Sequence, residues 1–183
     1  MMAKNFPVLK TERLLLRELE FSDEALLHRN WSDPLTMEKV SAGCLSHEQT
    51  RQMLFVLRSL WEDGLGIRWV IEIDGELAGT CGFHNVNGEC RRAELGYELH
   101  RDYWRRGIMS EAVAAVLRFG FEDMDWIRIE AFTNLDNERS AGFLASRGFV
   151  QEGILRDYEK SWRGFVDQRC FSLLRREWAD GRA

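Results

Sequence analysis

The stretch that decides the fold is Arg92 to Gly120, "RAELGYELHRDYWRRGIMSEAVAAVLRFG", because its hydrophobic period changes from two to 3.6 across a short basic loop. From Arg92 to His100 the residues alternate: Ala93, Leu95, Tyr97 and Leu99 share one face of a strand, and Glu94, Gly96, Glu98 and His100 share the other. The first set reads as core, and the second stays available. Beyond the loop, Met109, Ala112, Val113, Val116, Leu117, Phe121 and Met124 recur at helical intervals, which predicts a helix starting near Gly107 or Ile108. "WIRIEAFT", 126 to 133, returns to alternation, with Ile127, Ile129, Ala131 and Thr133 on one side. A strand, a crossover helix and a strand predict a parallel pair.

Upstream, "TERLLLREL" (11 to 19) suits a first strand, and a helix opens after it with Ser22 as N-cap. Ser46 and Gln49 stand at capping-box spacing before a second helix that carries Met53, Val56, Leu57, Leu60 and Trp61 and stops at Gly64. Strands at 67 to 73, 76 to 86 and 92 to 100 are joined by "DG" and "NGE", the turns of an antiparallel meander. Downstream, a short helix from about Asn137 ends at Gly148, and a last hairpin turns at Arg163 and Gly164.

The 183 residues, 45% hydrophobic and 30% charged with two prolines, read as one domain over 1–183. No apolar run suits a signal peptide or approaches the roughly 20 residues of a membrane span, so a cytoplasmic protein without membrane partners is expected. The net charge of −5 argues against a nucleic-acid partner and does not repel an amine. Cys44, Cys81, Cys90 and Cys170 lack metal-ligand or disulfide spacing, so four reduced thiols, most of them partly buried, and no metal are expected. Cys81 and His84 lie in one strand and read as packing and edge residues.

The loop "YWRRGIMS" (103 to 110) has a physical logic of its own. A helix begins with four N–H groups that have no intrahelical partner and with about half a positive charge. Arg105, Arg106 and Ser110 add donors there, and Gly107 lets a bulky group approach the backbone, so a phosphate or pyrophosphate is the natural ligand. A solvated strand-to-helix turn is the plain alternative. The P-loop grammar is absent, and "GLGIRW" lacks the third glycine of a dinucleotide fingerprint. HExxH and GxSxG are absent as well, which argues against zinc proteases and serine hydrolases.

Over nearly its whole length the chain resembles the GNAT (Gcn5-related) N-acetyltransferases, and more narrowly the RimJ/RimL-type ribosomal-protein N-terminal acetyltransferases. "TERLLLREL", "AELGYELHRDYWRRGIMSEA", "NLDNERSAGFLASRGFVQEG" and "LRDYEKSWRGFVDQRCFSLLRREW" carry the resemblance in order. The general loop pattern, Gln or Arg, then x-x-Gly-x and Gly or Ala, falls on Trp104 to Met109 and departs at both of those ends; Trp104 is usual in the RimJ/RimL branch, where a methionine at the last place also occurs. The resemblance implies an α/β (α+β) fold, with a mixed sheet of about seven strands and about four helices, splayed between the fourth and fifth strands. It also implies acetyl-CoA as co-substrate: backbone groups of Arg105, Arg106, Gly107, Met109 and Ser110 hold the pyrophosphate, and the pantothenate arm runs along the strand edge near Leu99. A backbone N–H at the splay then faces the thioester oxygen. Asn137 corresponds to an asparagine that contacts the cofactor arm; on the residues alone it is equally a helix N-cap.

Many GNAT enzymes place a tyrosine seven residues after that asparagine to protonate the departing thiolate; this chain has Leu144. The RimJ/RimL branch has a serine three residues after it, here Ser140, whose hydroxyl hydrogen-bonds the sulfur. Glu159 corresponds to the branch's proposed base for the amine, raised in pKa if it is desolvated beside Tyr158 and Trp162. Glu98, His100 and a water chain are the alternative bases. The resemblance favours a protein N-terminal amine as acceptor in direct transfer, with a small-molecule acetyltransferase (antibiotic, polyamine or amino acid) and a non-catalytic acetyl-CoA-binding regulator as alternatives. A homodimer through the C-terminal strands is compatible with it.

Overall fold

A computed structural model describes residues 5–162 and 164–179. In chain order the elements are β1 (Leu9–Lys10), β2 (Leu14–Glu18), α1 (Glu24–Ser32), α2 (Pro34–Met37), α3 (His47–Glu62), β3 (Ile67–Ile73), β4 (Glu76–Asn87), β5 (Arg92–Leu99), α4 (Ile108–Arg118), β6 (Arg128–Asn134), α5 (Glu138–Ser146), β7 (Val150–Ser161), β8 (Gly164–Leu174) and α6 (Arg175–Ala179). They build an eight-stranded sheet in the order β1-β2-β3-β4-β5-β6-β8-β7. Every neighbouring pair is antiparallel except β5 and β6, the pair that brackets α4.

α4 buries Ile108, Ala112, Val113, Val116 and Leu117 against inward residues of the sheet such as Trp69, Phe83, Leu95, Ile129 and Leu173. Val70 alternates with Trp69 and Ile71 and so faces the other way, where it meets Leu27 and Trp31 of α1 and Leu54 of α3. The sheet is therefore covered on both faces. α4 is shorter than its stripe predicts, because a wide π-type turn takes over from Phe119 to Asp123. A Cβ on Gly120 would lie 3.0 Å from the side chains of Ile129 and Trp126, so the chain turns where only glycine lets it approach β6.

β5 and β6 part almost at once. Their ladder holds only Arg92 to Glu94 against Arg128 to Glu130, after which the strands run on unpaired to Leu99 and Asn134. On its other side β5 stays paired with β4 as far as Leu99, and the His100 N–H donates to the Ala78 carbonyl at 2.8 Å. By the alternation of an antiparallel ladder, the backbone groups of Glu98 also face β4, while those of Tyr97 and Leu99 face the gap.

The structure corrects several expectations. Eight strands replace about seven, since the two-residue β1 pairs with β2, and six helices replace about four, since Pro34–Met37 and Arg175–Ala179 each form short ones. Ser22 is no N-cap: it lies in a 3-10 turn whose Asp23 carboxylate accepts from the Glu20 N–H and binds Arg17. In α3 Trp61 is buried as expected, Met53, Leu57 and Leu60 are half-buried, Leu54 joins the core, and Val56 is exposed. Ile127 precedes β6 and is exposed. Cys44 and Cys90 are exposed, Cys170 is half-buried, and Cys81 alone is in the core. Of the final turn, Gly164 opens β8 at φ 106°, and Arg163 lies outside the described residues.

Candidate active site

The loop before α4 is shaped by its backbone. Arg105 sits at φ 61° and Gly107 at φ 74°, so two of three successive residues take left-handed backbone. Gly107 is the N-cap and has no side chain to offer, which leaves the N–H groups of the first turn uncapped. Glu111, the acidic residue of that turn, is held elsewhere: its carboxylate accepts from Thr11 Oγ1 at 2.5 Å, Arg13 N at 2.9 Å and Arg13 Nε at 2.7 Å. Burial works against its charge, yet these bonds hold the carboxyl below its usual range. Arg13 also donates from Nη1 to the Arg106 carbonyl at 3.0 Å, bracing the loop from the residue before β2. Positive helix mouth and neutralised carboxylate together leave an anion site with no built-in competitor.

From this mouth a cavity of about 530 Å³ extends along β5 to α5. Of the residues the sequence singles out for the cofactor, Leu99, Arg105, Gly107, Met109, Ser110 and Asn137 line it; Arg106 does not, and its guanidinium lies 5.5 Å over the Tyr103 ring. Along the open edge of β5, the Leu99 carbonyl is already taken by Trp104 Nε1 at 2.7 Å, with the Arg139 guanidinium 3.8 Å over the Trp104 ring. The volume suits a sizeable ligand arm, and the gap between β5 and β6 offers it unpaired backbone groups.

At the far end, Asn137 Oδ1 accepts from the Ser140 N–H at 3.1 Å, so Asn137 is the N-cap of α5 while also facing the cavity. Ser140 lines the same cavity, and its Oγ lies 2.7 Å from the Tyr97 hydroxyl. Burial pushes the Tyr97 phenol above its ordinary 10, with the Ser140 bond opposing. The ring stands edge-on to Phe143, centroids 5.2 Å apart. Sequence alternation assigns Tyr97 to the core face of β5; the helix that brings Ser140 to its hydroxyl is 43 residues away in sequence, and no local pattern signals that meeting.

Glu159 is not brought into this cavity. It sits half-buried in β7 opposite Val166, and its carboxyl is raised above 4.5 by desolvation and then by the negative charge of Glu94, with His84 opposing. His84 Nε2 is 3.0 Å from Glu94. Of the other candidate bases, Glu98 is clamped by Arg68, Thr80 Oγ1 and Trp31 Nε1, and His100 is buried, with desolvation pulling its pKa down. A second cavity of about 240 Å³ lies beside the first, between residues 38–41 and the β7–β8 hairpin, and Val40 lines both. Among the described residues no cluster of His, Cys, Asp and Glu suits a metal, and no helix is long and apolar enough to cross a membrane.

An uncapped helix mouth, a splayed parallel pair and a cavity joining them are the setting of acetyl transfer in one fold family, and the profile of the acetyltransferase (GNAT) domain matches residues 13–150. The chain belongs to the GNAT acetyltransferase family. It is 38% identical over 174 residues to the N-acetyltransferase p20 of Bacillus licheniformis, covering 93% of this chain and 98% of that one. It is 32% identical over 111 residues to the ribosomal protein uS5-alanine N-acetyltransferase of Escherichia coli, covering 58% and 56%. A solved GNAT-family acetyltransferase from Bacillus anthracis superposes with a TM-score of 0.81 at 27% identity, over 93% of this chain and all of that one. This GNAT acetyltransferase is thus an N-acetyltransferase.

Proposed function

We propose that this acetyltransferase moves the acetyl group of acetyl-CoA directly to a primary amine in a ternary complex, with a protein N-terminus of the ribosomal-protein kind as acceptor. One observation carries the cofactor half: a single cavity joins the uncapped mouth of α4, the unpaired edge of β5 and the Ser140 hydroxyl. Backbone N–H groups between Arg105 and Ser110 hold the pyrophosphate, and Leu99 and Asn137 hold the arm. Bound there, acetyl-CoA supplies a thioester carbonyl open to attack by an amine. N–H groups of β5 at the splay steady the oxyanion, and the Ser140 hydroxyl hydrogen-bonds the departing sulfur. Glu159, raised in pKa and outside the cavity, takes the amine proton across intervening water. The acceptor half is supported by the likeness to the uS5-alanine enzyme. A cytoplasmic protein acting without metal is part of the same reading.

A thiol-release assay with acetyl-CoA against ribosomal N-terminal peptides, polyamines, aminoglycosides and amino acids tests it. Turnover on a peptide is expected. Failure on every peptide with success on one small amine replaces the acceptor.

A further inference from the structure

Ser140 has one O–H and two jobs for it. Its Oγ is 2.7 Å from the Tyr97 hydroxyl, and each of these groups is able to donate to the other. If serine donates to tyrosine, no proton is left for the sulfur. Acidity decides the direction: a phenol, with an ordinary pKa near 10, is a far stronger donor than an alkyl hydroxyl, and the serine oxygen is the better acceptor. The surroundings agree. Tyr97 is fixed by β5 below and the Phe143 ring beside it, and among the described residues its hydroxyl has Ser140 as its hydrogen-bond partner. Burial keeps the phenol protonated, so it remains a donor throughout the working pH range.

We propose that Tyr97 is the positioning residue of the transfer step: it donates its O–H to Ser140 Oγ and so leaves the single proton of Ser140 aimed into the cavity at the departing sulfur. This rests on the reading of Ser140 as the hydrogen-bond donor to that sulfur. When the carbon–sulfur bond breaks, its electron pair stays on sulfur. The thiolate is held by the O–H of Ser140, no proton leaves Tyr97, and the thiol regains its proton from solvent on release. A chain of two aligned hydroxyls also polarises the outer one, strengthening the bond to an anion.

The test uses CoA and desulfo-CoA with the full chain under reductant, comparing their affinities by calorimetry at pH 7 and pH 9. A donor aimed at sulfur favours thiolate over thiol, so in the wild type CoA should tighten relative to desulfo-CoA by about tenfold over this range. Lys39, Arg105 and Arg139 of the cavity wall attract a thiolate and Glu98 repels one, but all four are common to the wild type and the variants, so the difference between proteins reads the Ser140–Tyr97 pair. Tyr97→Phe keeps the ring against Phe143 and should reduce the tightening to about twofold or less, as should Ser140→Ala, with the double variant no worse than Ser140→Ala alone. A flat response in Ser140→Ala with a wild-type response in Tyr97→Phe overturns the role of Tyr97 and leaves that of Ser140 standing. A wild-type response in both overturns the reading of Ser140, and this inference with it.

Discussion

The two sides of the splay are built differently. On the side proposed for the cofactor, the loop before α4 is bonded to the segment leading into β2, through Arg13 to Glu111 and to the Arg106 carbonyl, and Ser140 is tied to both Asn137 and Tyr97. On the side proposed for the acceptor, β7 is an edge strand whose pairing with β8 slips twice, and Tyr158, Trp162 and Phe165 are each at least half exposed. Residues 38–41 meet it through the Trp162 N–H, which donates to the Ser41 carbonyl, and meet the end of β6 through Asn134 Nδ2, which donates to the Lys39 carbonyl. A ligand common to a whole family rewards a preorganised cradle; an acceptor that differs from enzyme to enzyme needs a wall that is able to change without disturbing the cradle.

If that division holds, substitutions on the two sides separate in kinetics. The largest expected effect is that of Glu159→Gln, which should lower kcat/KM about 10²-fold near neutral pH while leaving the affinity for acetyl-CoA unchanged. A base works when deprotonated, and this carboxyl is raised above 4.5, so wild-type activity should climb with pH through a range above 4.5. The variant should lack that acid limb in a pH–rate profile; a variant that keeps the limb assigns it to another group. Ser140→Ala should lower kcat by about 30-fold, as expected for one hydrogen bond to a forming anion, with the acetyl-CoA Kd from calorimetry held within about twofold. Arg13→Gln loosens the loop without touching the reacting atoms, so it should weaken acetyl-CoA binding about tenfold and spare kcat at saturation. Trp162→Ala, on the wall of the smaller cavity, should raise the acceptor KM about threefold and leave the acetyl-CoA Kd alone. A change in both constants would mean that the two sides are one site.

The smallest effect concerns stability where the two sides join. Glu152 in β7 accepts from Arg128 of β6 and Ser172 of β8, which lowers its pKa from 4.5 to about 2. A carboxyl depressed on folding contributes stability that is fully present above its unfolded pKa and lost as pH falls through the folded one. Thermal melts between pH 5 and pH 2 should therefore fall less steeply in Glu152→Gln than in the wild type, by a modest amount because the pair is partly exposed.

Local sequence carried much of this. The switch of period after Leu99 located the parallel pair, Ser46 with Gln49 located the start of α3, and the composition of the loop at 103 to 110 located the uncapped start of α4, because capping and alternation act over a few residues. Illegible were the passage of α4 into a π-type turn after Arg118, the clamping of Glu98 by Arg68 and Thr80, and the pairing of Tyr97 with Ser140. Each depends on which side chain a distant element presents.

The sequence by itself determined the main alternation of strands and helices, the basic loop at the mouth of α4 and, through its likeness to a family, the chemistry to look for. Tertiary structure alone decided that the cavity ends at a serine held by a tyrosine and that Glu159 stands outside it. The physical reason is range: backbone preferences are settled among neighbours, whereas a hydrogen bond or a desolvated carboxyl exists only once the sheet has brought remote residues together.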